Sequence, residues 1–67
     1  MGFPNVISAE AAIEQGQSHW AIRSVAQWNF DMAKRAESER DRSRYKFNHR
    51  ELMRVADEME RLEDAAA

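Results

Sequence analysis

Between Phe47 and the C-terminus, Asn48, Leu52, Val55, Met59, Leu62 and Ala66 recur at spacings of 4, 3, 4, 3 and 4. That period places them on one face of a helix that lies along another helix. Asn48 stands where an N-cap would, Glu51 three places on completes a capping box, and Phe47 and Leu52 hold the hydrophobic-staple positions. The pattern predicts a capped helix over 48–65.

A matching stripe precedes it. Ile22, Val25, Asn29, Met32 and Ala36 repeat at 3, 4, 3 and 4, with Ala26 and Ala33 filling the same stripe. This predicts a long amphipathic helix over 18–40, with Ser18 as its N-cap. Trp28 and Ala21 border the stripe on one side and Phe30 on the other, while Trp20 points nearly opposite. Asn29 lies in the middle of the stripe, where a polar side chain must find a partner.

Residues 1–7 have Pro4 and no period, which predicts an extended lead. Ser8 reads as the N-cap of a helix over 8–15, with Glu10 in its first turn and Gly16 at the left-handed position that ends it. At about two turns this helix must lean on a neighbour.

The segment ESERDRSR, residues 37–44, has no apolar residue. It reads either as a solvated part of one rod running from His19 to Asp64 or as the turn of a hairpin. The cap signal at Asn48 favours the turn, because a cap inside an unbroken helix has no orphan amides to satisfy. The expected architecture is therefore all-α: a short N-terminal helix, then a two-helix antiparallel hairpin with a basic turn at 41–47, self-associating into a helical bundle.

Composition adds a reason for self-association. A chain of 67 residues buries a small fraction of its surface, and without cysteine it has no disulfide or thiolate site to stiffen it. It forms one domain, and a partner chain is the natural source of further stability. No run is long and apolar enough for a bilayer and no secretory leader pattern opens the chain, so a cytoplasmic protein without membrane contact is expected.

The net charge of -2 hides an uneven distribution. Residues 34–50 hold seven bases against three acids, and residues 51–67 hold two bases against six acids. Acid and base pairs such as Asp57 with Arg61 and Arg54 with Glu58 read as surface support for the last helix.

Catalytic and metal chemistry find no foothold. His19 and His49 stand thirty residues apart with no ligand spacing, and no phosphate loop occurs. No enzyme, cofactor, metal or small-molecule substrate is expected. Aromatic residues are more informative. Trp20, Trp28, Phe30, Tyr45 and Phe47 are many large rings for a two-helix core, and rings left on a surface anchor interfaces. They are the candidate protein-binding residues of a small regulator, inhibitor or assembly component.

A second reading starts from AAIEQGQSHWAIRSVAQW, residues 11–28, in which Ala12, Gly16, Ile22 and Val25 fall at the positions of a small residue, a glycine and two apolar residues. The segment loosely resembles the helix-turn-helix signature of DNA-binding repressors. The resemblance implies that Ser18, His19, Trp20, Arg23, Ser24 and Gln27 face a major groove. Arg40, Arg42, Arg44 and Lys46 would then assist at the phosphates. A glycine turn between two packed helices accounts for the same residues.

Overall fold

The computed structural model describes residues 7–66, which form three α-helices and no strand. Helix α1 spans Ala9–Glu14, α2 His19–Arg35 and α3 Glu39–Ala66. The expected lead over 1–7 lies outside the described residues except for Ile7, which is half-buried and packs against the core.

Helix α1 starts at Ser8, whose Oγ accepts from the Ala11 amide at 3.1 Å. It ends in two reciprocal bonds: the Gly16 amide donates to the Ile13 carbonyl at 2.9 Å and the Gln17 amide to the Ala12 carbonyl at 3.0 Å. This is a Schellman motif, and it requires the left-handed φ of 78° that Gly16 adopts. Ser18 then caps α2, accepting from the Ala21 amide at 3.2 Å.

The hairpin turn lies earlier than the sequence pattern suggests. Helix α2 stops at Arg35 instead of residue 40, Ala36 is extended (φ -64°, ψ 133°), and α3 begins at Glu39. Residues 41–47, expected as a basic turn, are helical. The cap is Ser38, whose Oγ accepts from the Asp41 amide at 3.1 Å while its carbonyl accepts from the Arg42 amide at 3.0 Å. Glu39 and Asp41 lie in the first turn, where the helix dipole favours acids. The polar segment 37–44 thus contains the true start signal.

Asn48 is accordingly no cap but a buried residue within α3. Its side chain faces α2 and donates to Asn29 Oδ1 at 3.4 Å. The staple is absent too, since Phe47 is exposed while Leu52 is buried, and Glu51 pairs with Arg54 at 2.8 Å instead of turning back to Asn48.

Helices α2 and α3 pack antiparallel, with His19 near Glu60 and Phe30 near His49. Ile22 and Ala26 of α2 meet Leu52, Val55, Ala56 and Met59 of α3, and α1 adds Ala9 and Ala12. The α2 seam is rotated slightly from the expected stripe: Ala26 and Ala33 are buried, whereas Val25 is exposed and Met32 half-buried. Small side chains at the seam let the helices approach closely, leaving Val25 on its flank. Asn29, fully buried, also donates from Nδ2 to the Val25 carbonyl at 2.8 Å, so both ends of its amide are satisfied.

Candidate functional site

Burial of the seam leaves each helix two flanks, and cross-helix contacts show which flanks meet. On one side of the hairpin Arg23 reaches Asp57 at 2.9 Å and Glu60 at 2.8 Å. His49 Nδ1 lies 3.0 Å from the Ala26 carbonyl, a contact in which the ring N–H donates. Phe30 rests against His49 with ring centroids 5.2 Å apart and carries Lys34 Nζ 4.5 Å above its own ring. This side is closed by polar and charged contacts. A shallow recess of about 210 Å³ lies farther along it, with Phe30 and Ala33 as floor and Lys34, Arg42 and Lys46 around it.

The other side is different. At about 100° per residue, Val25, Trp28 and Met32 share the flank of α2 turned away from Arg23 and Phe30. Trp28 leans across to Tyr45 of α3 in an edge-to-face contact, ring centroids 5.9 Å apart. By the same phase Phe47 lies on the α3 flank opposite His49, next to Arg44, with which it lines a second recess. Trp28 is 47% exposed and Phe47 51%, so half of each large ring meets solvent. Val25 adds exposed apolar surface beside Trp28.

Helix α1 packs on α3 at the far end of the hairpin, where Ala9 and Ala12 join the core. Its six residues span only about 9 Å, while α2 runs about 25 Å.

The five ring residues expected to bind a protein do not form one patch. Trp28 meets Tyr45, while Phe47 lies nearly opposite Tyr45 around α3. Phe30 belongs to the polar side. Trp20, 70% exposed, projects from the outer face of α2 and stacks on its neighbour His19, ring centroids 4.8 Å apart. Period alone places Val25 and Met32 in the core, whereas the rotation of α2 against α3 leaves Val25 exposed and Met32 half-buried beside Trp28.

The residues of the DNA-reading alternative are mostly engaged within the chain. Ser18 caps α2, Ser24 Oγ donates to the Trp20 carbonyl at 3.1 Å, and Gln27 donates to Asp31 at 3.2 Å. Arg23 is held by two carboxylates, whose hydrogen bonds, that to Glu60 foremost, raise its pKa. His19 turns toward Glu60 and Glu63 at 3.8 and 4.0 Å. Arg42 bonds Glu39 and the Ala36 carbonyl, which ties α3 to the turn. Arg40, Arg44 and Lys46 lie on the first turns of α3.

The ion pairs within α3 also differ from expectation. Arg61 pairs with Glu58 and Arg54 with Glu51, both at i, i+3, and Asp57 turns to Arg23 on the other helix. The Arg61 hydrogen bond holds Glu58 below the ordinary carboxylate range. Among the described residues no three His, Cys, Asp or Glu side chains are grouped to hold a metal ion, and no helix is long and apolar enough to cross a membrane.

No family model matches the chain, and no curated protein or solved structure matches it.

Proposed function

We propose that this chain is a small helical protein-binding module, a regulator, inhibitor or assembly component that works through a helix face with aromatic anchors. The observation that supports this most is the set of large rings left in solvent: Trp28 is 47% and Phe47 51% exposed, and Val25 and Met32 lie beside Trp28 on the same flank of α2. Exposed aromatic rings on a helix face are the residues that anchor contacts with a partner helix. Trp20 offers a separate exposed anchor on the outer face.

The DNA-binding alternative has less support, because Arg23 and His19, central to the resembling segment, are directed at carboxylates of α3. Affinity capture from the native host with the parent chain, Trp20→Ala and Trp28→Ala tests the reading. Loss of a specific partner with Trp28→Ala, at unchanged far-UV circular dichroism, is the expected result. Unchanged capture by the Trp28 variant removes the Trp28 flank of α2 from the interface. Salt-sensitive binding to duplex DNA that disappears with Arg23→Ala would favour the alternative.

A further inference from the structure

The recess of about 210 Å³ near the hairpin turn has an apolar interior and a cationic rim. Phe30 and Ala33 of α2 form its floor, and Lys34, Arg42 and Lys46 surround it, with no carboxylate among the lining residues. The surface turned into it is apolar, so the three cations give their carbon stems to the wall and hold their charged heads at the edge. Lys34 comes from the last turn of α2, while Arg42 and Lys46 stand one turn apart on α3.

The three charges are not equally committed. Arg42 donates to Glu39 and to the Ala36 carbonyl at 3.1 Å, which fixes its guanidinium plane and offsets its charge. Lys34 Nζ lies 4.5 Å from the centre of the Phe30 ring, a contact with a ring and not with an acid. Among the described residues neither Lys34 nor Lys46 meets a carboxylate. Two unpaired ammonium groups therefore border an apolar hollow.

An apolar guest alone would take water from those ammonium groups without return, and a bare anion would leave the hollow unfilled. A ring joined to an anion satisfies both. We propose that the recess is a binding site for an aromatic phosphate, with its single ring seated on Phe30 and Ala33 and its phosphate at the rim with Lys34 and Lys46. A phosphate monoester carries close to two negative charges at neutral pH, which matches the two unpaired lysines. The fixed Arg42 guanidinium suits the ring, because such planes stack on aromatic faces.

Size agrees. A cavity of about 150 Å³ holds benzene, and the open recess is somewhat larger. The site is separate from the flank of Val25, Trp28 and Met32, which faces away from Phe30, so the inference does not rest on the protein-binding reading.

The test is an amide NMR titration of the full chain with phenyl phosphate, phenol and inorganic phosphate. Phenol has the ring without the charge, and inorganic phosphate has the charge without the ring. Phenyl phosphate is expected to shift the amides of Phe30, Ala33, Lys34, Arg42 and Lys46 with a Kd of about 1–5 mM, and the other two to bind about tenfold more weakly or less. Lys34→Gln and Lys46→Gln, both at exposed positions, should each raise that Kd about threefold at an unchanged circular dichroism spectrum.

Inorganic phosphate binding as tightly as phenyl phosphate reduces the recess to a basic patch and overturns the proposal. Equal affinity for phenol overturns it as well, as do shifts confined to amides away from the recess or an unchanged Kd in the double lysine variant. A short peptide with one phosphotyrosine separates two sources of the same group: tighter binding than phenyl phosphate assigns the ring to a protein side chain, and equal or weaker binding assigns it to a free compound.

Discussion

The pairing of Asn29 with Asn48 gives the most direct test of how the two long helices recognise each other. Asn29 is fully buried, with its Nδ2 on the Val25 carbonyl at 2.8 Å and its Oδ1 accepting from Asn48 at 3.4 Å. Asn29→Ala removes the acceptor and leaves the Asn48 amide, 8% exposed, with no side-chain partner across the seam. A lost bond plus an unsatisfied buried donor costs about 1–3 kcal/mol.

For a chain of 67 residues the unfolding entropy is about 140 cal/mol/K, so 2 kcal/mol lowers Tm by about 14 °C. Thermal and urea unfolding followed by circular dichroism at one fixed protein concentration would measure it. Asn48→Ala should cost somewhat less, since Asn29 keeps its bond to Val25. The double variant should cost less than the sum of the two, by about 0.5 kcal/mol or more. Replacing both by Leu should be near neutral in stability while relaxing helix register, the role a polar seam residue plays in helical pairs. A Tm drop under about 3 °C for Asn29→Ala, or strictly additive single variants, would refute the idea that the two amides form one unit.

Two further predictions concern the ends of helices. Ser38→Ala should destabilise the chain by about 1 kcal/mol through loss of the α3 cap, a change visible in urea unfolding. Were Asn48 the cap instead, Ser38→Ala would be silent. Gly16→Ala meets no steric neighbour within 4 Å, yet it places a Cβ at a left-handed φ and should cost about 1 kcal/mol. An equal or higher Tm for that variant would show that the turn relaxes to another conformation.

Local signals in this chain determined local structure well. Ser8, Gly16 and Ser18 mark both ends of the first helix and the start of the second because capping and left-handed turns involve residues only a few positions apart. The two apolar stripes marked which faces would meet, and Asn29 announced its need for a partner. The exposure of Trp20 also followed from helical phase alone.

Packing decided the rest. Asn48 carries a side chain that serves equally as a cap or as a cross-helix partner, and only the arrival of Asn29 opposite it selects the second use. The turn lies at residues 36–38, where Ser38 caps α3 from inside a charged run that hides its signal. Arg23 found Asp57 and Glu60 more than thirty positions away, a contact no helix spacing encodes. The pairing of Trp28 with Tyr45 and of Phe30 with His49 depends on how α2 is rotated against α3. That rotation is set by the small side chains of Ala26, Ala33 and Ala56 at the seam, a property of two helices together and of neither alone.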